Sequence, residues 1–290
     1  MSDRLPVHKT YKLYVGGAFP RSESGRTLPI TDASGQTVAY GCRGSRKDLR
    51  DAVVAARKAQ PGWAGATAYN RGQVLYRLAE MIEGKRAEFA QTLMWGGASA
   101  AAANAEVAAA VDRVVHYAGW TDKFASVLGG QNPVAGPYWN ISVPEPVGVV
   151  AVVAPAQAAL LGAVSLLAPA VCAGNACVLI SPSNAAVVSV LGEACATSDL
   201  PGGVVNLISG LVDELGPVVA GHRDVDAVVA AGLTAEQAAT LRGGAAENLK
   251  RVSVVDARGG LDWHDHARCQ GLAWIERTVE VKTSWHPVGS

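Results

Sequence analysis

The sequence predicts an α/β protein built on a parallel sheet, and the stretch from Pro146 to Gly232 carries the evidence. Short apolar runs, typical of strands buried on both faces, alternate there with longer runs that suit helices. Turns that contain glycine or proline separate the runs. Strands and helices in this alternation indicate βαβ units.

The elements of this stretch follow from its apolar runs. Strands are predicted over 147–153, 176–180, 204–208 and 226–230, and helices over 157–172, 187–198 and 211–221. Ala173-Gly174-Asn175 is expected to end the first of these helices. A further helix over 234–244 and a last strand over 248–256 complete the alternation.

The chain upstream predicts short strands and then amphipathic helices. A hairpin strand is expected over 11–20 and further short strands over 25–40. Ser45 is a good N-cap with Asp48 at the third position, and the helix that it begins is expected to end at Gln60-Pro61-Gly62-Trp63. A second helix is predicted from Asn70 and a third over 86–95.

The next segment, from Gly96 to Ala110, reads GGASAAAANAEVAAA. Alanine favours helix, so a helix is predicted from about 100 to 127, with Ser99 as its N-cap. The low complexity of the segment suggests relaxed demands on side-chain chemistry. Further on, Tyr138-Trp139-Asn140 is an aromatic strand signal.

Composition excludes several classes of function. Of the 290 residues 49% are hydrophobic and the formal net charge is zero, which argues against a nucleic-acid surface. Polar residues and prolines interrupt every long apolar run, and MSDRLPVHKT has no apolar signal core, so no membrane association is expected. The five cysteines are scattered and odd in number, which favours free thiols and a cytoplasmic protein.

Several phrases of the central stretch form an ordered set. They are PVGVV from Pro146, PAQ from Pro155, APAVCAGN from Ala168, VLISPSN from Val178, PGGVVN from Pro201 and AAGLT from Ala230. In order and spacing the set resembles the cofactor-binding domain of the aldehyde dehydrogenase superfamily. The resemblance implies a Rossmann-like domain over 146–260, with the strands and helices of 1–137 packed on it.

The same resemblance extends to the C-terminal end of the sequence. Residues 278–287 (TVEVKTSWHP) resemble the C-terminal strand of the family, which implies a small β oligomerisation flap made of 138–145 and 274–290. Only about thirty residues follow Asp256, where the family has its catalytic domain. The chain therefore resembles a shortened member without that domain, and also the non-catalytic C-terminal half of the duplicated members. The intervening residues 261–273 are predicted to form a solvated linker.

The chemistry of the family does not carry over, and no catalytic residue is predicted. The family's nucleophile motif is absent, and Cys269 is expected to be a surface or interface thiol. Gln157 stands where the family has the asparagine that holds the oxyanion, and Val255 stands at the position of the water-activating glutamate. His264, His266 and Cys269 lack a fourth ligand and confirming spacing, so no metal site is predicted.

NAD or NADP is the cofactor that the resemblance implies, but the positions that bind it are altered. Ile180, Asn184, Val212 and Leu233 replace polar or small residues of the family motifs. The remaining candidate cofactor-binding residues are Pro155, Ser181, Pro182, Gly210, Gly232 and Thr234.

Three hypotheses follow. The preferred one is a catalytically inactive structural or regulatory subunit, which forms a homo-oligomer or a hetero-oligomer with a full-length aldehyde dehydrogenase. The second is an NAD(P)-binding module or a weak NAD(P)-dependent aldehyde oxidoreductase. The third is a relic that folds poorly.

Overall fold

The structure, a computed structural model, describes residues 7–256 and 260–288. Three predicted divisions lie partly outside these residues: the outer ends of 1–137 and of 274–290, and part of 146–260. The strands in this part of the chain are β1 (Thr10–Tyr11), β2 (Thr27–Thr31), β3 (Thr37–Cys42), β4 (Gly130–Asn132), β5 (Tyr138–Pro146), β6 (Val149–Val153), β7 (Ala176–Ser181), β8 (Val205–Ser209), β9 (Ala227–Ala231), β10 (Arg251–Val255) and β11 (Val279–Pro287). The helices are α1 (Arg46–Gly65), α2 (Ala68–Gly84), α3 (Arg86–Trp95), α4 (Ala100–Trp120), α5 (Phe124–Leu128), α6 (Leu161–Cys172), α7 (Ala185–Ala196), α8 (Val212–Gly221), α9 (Ala235–Ala246), α10 (His266–Cys269) and α11 (Leu272–Glu276).

A five-stranded parallel sheet lies at the centre of the fold, in the order β10-β9-β6-β7-β8. Every residue of β6, β7, β8 and β9 is buried, which is why these strands are mainly apolar; Ser181, Asn206 and Ser209 are their buried polar residues. Alternate side chains enter two hydrophobic cores, one on each face of the sheet: Val150 and Val152 belong to one core, and Val149 and Ala151 to the other. The predicted α/β fold with a parallel sheet is confirmed.

The N-terminal helices pack on this sheet and on its helices. α4 packs against α2 and α6, while α1 lies against β7 and β8. The capping box predicted at Ser45 is present, since the Ser45 hydroxyl accepts from the Asp48 N–H and the Asp48 carboxylate accepts from the Ser45 N–H. No helix of the described residues is both long and apolar enough to cross a membrane.

Several predicted helix boundaries differ from the structure, and three of these differences have a local reason. α1 continues through Pro61 to Gly65, because the buried Trp63 holds its last turn by donating to the carbonyl oxygen of Val171 at 2.9 Å. α4 ends at Trp120 rather than near 127. The next residue, the buried Thr121, donates from its hydroxyl back to the carbonyl oxygen of Ala118. α6 begins at Leu161 rather than at 157, after a loop in which Ala158 has a φ of +50°.

The first strands form a separate small sheet of order β1-β3-β2. The hairpin strand predicted over 11–20 is reduced to a single bridge between Val15 and Ala18, closed by Gly16 and Gly17 at positive φ. The same segment is tied to the central sheet, since Tyr14 and Leu207 exchange two backbone hydrogen bonds of 3.0 and 2.7 Å.

A three-stranded antiparallel sheet of order β11-β5-β4, here called the flap, contains the two predicted flap strands. β5 and β11 pair over nine residues, from Val279 opposite Pro146 to Pro287 opposite Tyr138. The strands expected at Tyr138-Trp139-Asn140 and over 278–287 are confirmed.

Residues 260–278, here called the strap, do not form the solvated linker predicted for 261–273. Trp263, Cys269, Trp274 and Ile275 are at most 5% exposed and join the core beside α4 and α6. The strap is held by the buried Arg113 of α4, which donates to the carbonyl oxygens of Cys269 and Trp263 and to the hydroxyl of Ser165. The expectation of a solvated linker was wrong because the polar residues that suggested it share the segment with apolar anchors.

Candidate functional site

The carboxyl ends of the five parallel strands meet at one edge of the central sheet, and the six candidate cofactor-binding residues lie along it. From β6 the chain adds β7 and β8 on one side, and it then returns to add β9 and β10 on the other. In open α/β sheets ligands bind at the point where this direction reverses, here between β6 and β9.

Pro155 and Gly232 flank that reversal point, Pro155 after β6 and Gly232 after β9. Gly232 has a φ of +70°, and a Cβ on it would lie 3.2 Å from the Cβ of Pro155. The loops after β6 and β9 are therefore in close contact, and glycine permits both the backbone conformation and the approach. The structure brings these two candidates together.

Ser181, Pro182 and Gly210 form a second group at the ends of β7 and β8. The Gly210 N–H donates to the Ser181 carbonyl oxygen at 3.0 Å, and Pro182 follows directly. Ser181 is only 1% exposed. A Cβ on Gly210 would lie 2.8 Å from the Cδ1 of Leu215, so the backbone is already closely covered by the protein itself.

Thr234, the sixth candidate, is the N-cap of α9. Its hydroxyl accepts from the Gln237 N–H at 3.1 Å, and the Gln237 side-chain oxygen accepts from the Thr234 N–H at 3.0 Å. Helix N-termini bind phosphate through such free N–H groups and the helix dipole. At α9 this capping box already takes two of the donors that a pyrophosphate would use.

A cleft of about 350 Å³ lies between α8 and α9, beside this helix start. Two exposed carboxylates, Asp213 and Glu236, line it, and Asp213 accepts from the Gln237 side-chain amide at 2.8 Å. Negative charge at this place repels a pyrophosphate. Sequence reasoning missed both residues, because acidic side chains in the first turn of a helix are an ordinary start signal.

A second cleft, of about 570 Å³, lies between the loops after β6 and β7 and the end of α3. Gln157 lines it from an exposed loop, and Glu106 of α4 lines the opposite side. The Glu106 carboxylate accepts from the Leu160 and Leu161 N–H groups at 2.8 and 3.2 Å. The start of α6, which has no side-chain cap of its own, is thus capped by a carboxylate from another helix.

Relaxed demands on side-chain chemistry were expected for the alanine-rich segment from Gly96 to Ala110. That expectation is wrong at Glu106, which caps α6; Arg113, which holds the strap, lies on the same helix α4 just beyond that segment. No local pattern marks either residue, because their partners lie between 50 and 160 positions away in sequence.

Cys269 is a core thiol, not the surface or interface thiol that was expected. It is a fully buried residue of the strap itself, and its Sγ donates to the Asp262 carbonyl oxygen at 3.2 Å. Burial raises the pKa of the thiol above its ordinary value, which disfavours the reactive thiolate. Val255 ends β10, and a valine side chain has no group that moves a proton.

The histidines near Cys269 do not converge on it. His264 and His266 are exposed, whereas Cys269 is buried. Within residues 7–256 and 260–288, no three His, Cys, Asp or Glu side chains are grouped so that they could hold a metal ion.

Comparison with known proteins agrees with the motifs. The profile of the aldehyde dehydrogenase family matches residues 19–256. The chain is 33% identical over 252 residues to an aldehyde dehydrogenase homologue of Bacillus subtilis, covering 84% of this chain and 50% of that protein. It is 33% identical over 259 residues to the mitochondrial benzaldehyde dehydrogenase of Antirrhinum majus, covering 86% of this chain and 47% of that protein. The NAD+ complex of a Bacillus cereus aldehyde dehydrogenase superposes with a TM-score of 0.78 at 27% identity, over 85% of this chain and 51% of that one.

The chain spans about half the length of the curated relatives it matches. The matched residues cover the central sheet, the helices around it and the flap strands β4 and β5, whereas β11 lies outside the match. This chain belongs to the aldehyde dehydrogenase family.

Proposed function

We propose that this chain is a catalytically inactive structural or regulatory subunit that assembles through its flap. The observation that carries the proposal is the short connection between β10 and β11. β10 ends at Val255 and β11 begins at Val279, so only 23 residues (256 to 278) join the central sheet to the flap. An ordinary domain needs at least about 50 residues, and the strap instead packs against α4 and α6.

The residues at the catalytic positions support an inactive protein. Gln157 replaces the oxyanion-holding asparagine of the family motif, and it lies on an exposed loop. Oxyanion donors act only when their position is fixed in advance, and glutamine carries its amide one methylene further from the backbone than asparagine does. Val255 and the buried Cys269 supply neither a base nor a nucleophile.

The partner that suits this role is a second copy of the chain or a full-length aldehyde dehydrogenase. The flap supports assembly because it presents exposed apolar side chains on both of its long strands, among them Trp139, Val281 and Trp285, which are 56–61% exposed. A cytoplasmic location remains part of the proposal. It is supported by the five cysteines, all of which are free.

The alternative is an NAD(P)-binding module or a weak NAD(P)-dependent aldehyde oxidoreductase. The two open clefts at the carboxyl edge of the sheet favour it, because they lie where dinucleotides bind in such folds. Two observations argue against this alternative: the carboxylates of Asp213 and Glu236 line one cleft, and the capping box at Thr234 already occupies the start of α9.

Calorimetric titration of the purified chain with NAD+ and NADH separates the two functions, with a full-length dehydrogenase as the positive control. We expect no binding of either nucleotide by this chain under conditions where the control binds. Micromolar binding by the chain would contradict the subunit proposal and favour the alternative. The double substitution Asp213→Asn and Glu236→Gln tests the electrostatic reason, since it should strengthen any residual binding.

A further inference from the structure

β11 forms an edge of the flap, and its outer side is open beyond Val279, whose carbonyl oxygen accepts from Arg251. All nine of its residues except Val279 are exposed, whereas the strand at the opposite edge, β4, has only three residues. A long exposed edge strand presents unpaired N–H and C=O groups to other chains.

The direction of these groups follows from two hydrogen bonds at the ends of the ladder. The Val288 N–H donates to the Pro137 carbonyl oxygen, and the Val147 N–H donates to the Thr278 carbonyl oxygen. In both bonds the residue on the β11 side has an even number. Hydrogen-bonded and non-hydrogen-bonded pairs alternate along an antiparallel ladder, so the even-numbered residues of β11 form the hydrogen-bonded pairs with β5. The backbone groups of Val281, Thr283 and Trp285 therefore point away from β5.

The two ionised side chains of this edge have partners within the chain, and the Glu280 carboxylate lies 3.4 Å from the Arg251 guanidinium. Lys282 is the charged residue nearest its centre, and its ammonium turns back over β5 to the Glu145 carboxylate at 3.2 Å. Val281 and Trp285 are 61% and 59% exposed on one face, where Trp285 meets Tyr138 edge to face at 5.8 Å. The exposed apolar side chains of Val281 and Trp285 favour strand addition along this edge.

We propose that β11 pairs with β11 of a second copy, antiparallel, about a two-fold axis that passes through Thr283. The inference rests on the proposed assembly through the flap and names the partner as this same chain. An axis perpendicular to the sheet keeps each face continuous, so each residue pairs with one of the same parity. Centred on Thr283, the register places all nine residues opposite one another and lets residues 281 to 285 form the backbone hydrogen bonds; at its two ends the Val279 carbonyl oxygen already accepts from Arg251 and Pro287 has no N–H.

The cross-strand pairs of this register are favourable. Val281 lies beside Trp285 of the second copy, a β-branched and aromatic pair, and Thr283 lies beside its own counterpart. Glu280 faces the imidazole of His286, and Lys282 faces Ser284. Moving the axis to Lys282 places the two Lys282 ammonium groups opposite each other, and moving it to Ser284 places Lys282 opposite His286, so both alternatives are less favourable.

The first test uses a proline at the axis. Thr283→Pro removes an N–H that points outward and leaves the β5–β11 ladder intact, since proline is tolerated where the N–H of an edge strand faces solvent. Thr283→Ala is the matched control, because it loses the same hydroxyl contact with Ser142 and keeps the N–H. Sedimentation over a wide concentration range should show a dimer that dissociates on dilution for the wild type and for Thr283→Ala. In Thr283→Pro the dissociation constant should rise about tenfold or more.

The second test fixes the register by cross-linking. Thr283→Cys places two thiols opposite each other, about 5.5 Å apart at Cα, which is within reach of a disulfide. Val281→Cys, the control, separates its two thiols by four residues, about 13 Å along the strands. The five native cysteines are buried and do not compete. We expect a disulfide-linked dimer from Thr283→Cys and none from Val281→Cys.

Each outcome decides the proposal. A wild-type chain that stays monomeric overturns it, as does a Thr283→Pro chain that associates like the wild type. If the proline variant fails to fold, cross-linking at 281 instead of 283 overturns it. A monomeric chain that still joins a full-length aldehyde dehydrogenase removes the self-pairing and leaves the subunit role. A chain that associates with neither contradicts both.

Discussion

Arg113 is the residue on which the attachment of the strap depends. Its guanidinium is fully buried, has no carboxylate partner among the residues that the structure describes, and donates to the carbonyl oxygens of Trp263 and Cys269 and to Ser165. Burial lowers its pKa below the ordinary value, yet arginine stays charged at neutral pH. Arg113→Met keeps much of the aliphatic volume and removes every donor.

The expected loss of stability follows from the two carbonyl groups left behind. Each buried acceptor without a donor costs about 1–3 kcal/mol, whereas Ser165 keeps its bond to the Leu161 carbonyl oxygen. Removing a buried charge without a carboxylate partner offsets part of this loss. We therefore expect Arg113→Met to lower the free energy of strap attachment by about 2–4 kcal/mol.

Thiol labelling at Cys269, followed by mass spectrometry under native conditions, measures this attachment directly. Cys269 is a fully buried residue of the strap, so its labelling reports local opening of the strap. Since each 1.4 kcal/mol is tenfold, labelling should accelerate about a hundredfold in Arg113→Met.

Arg71 provides the matched control for this experiment. It is also a buried arginine whose Nε lacks a partner, and it donates to the carbonyl oxygens of Ala64 and Ala66, at the end of α1. Arg71→Met should lower global stability without accelerating the labelling of Cys269 in the native protein. Equal labelling rates in the two variants, or an unchanged rate in Arg113→Met, would refute the anchoring role of Arg113.

Two further predictions concern Lys250 and Asn175. Burial lowers the pKa of Lys250 to about 8, whereas its value in the unfolded chain is about 10.4, so between these two pH values the unfolded chain binds more protons than the folded one. The free energy of unfolding in urea, measured for the wild type relative to Lys250→Met, should therefore rise with pH in this window. A difference between the two proteins that does not change with pH would contradict the prediction. Asn175 accepts from the Gly148 N–H and donates to the carbonyl oxygens of Ala170 and Thr278. Asn175→Leu should therefore lower the free energy of unfolding by about 3 kcal/mol and make the flap more sensitive to proteolysis. Asn206→Leu, which removes a buried asparagine that does not contact the flap, should destabilise the chain without that sensitivity.

The central sheet could be predicted because its signal is local. A strand buried on both faces is apolar along its length, and the run from Val149 to Val153 shows this pattern without reference to any distant residue. The N-caps at Ser45, Ser99 and Thr234 are also local, since each cap bonds a backbone group three residues away.

The candidate site was predictable only in part. Motif positions located Pro155 and Gly232 correctly at the edge of the sheet, but spacing alone does not show that their loops touch. The carboxylates of Asp213 and Glu236 come from different helices, and only the packing of α8 against α9 places both in one cleft.

The sequence by itself determined the family, the parallel sheet and the absence of the family's reactive residues from their motif positions, because each depends on residue identity or on short periodic patterns. Only the tertiary structure decided that the strap is buried, that Glu106 caps α6 and that Arg113 joins α4 to the strap. The physical reason is that hydrogen bonds between distant residues leave no periodic trace along the chain. An arginine or a glutamate in an alanine-rich helix has the same local pattern whether it faces water or a buried carbonyl group.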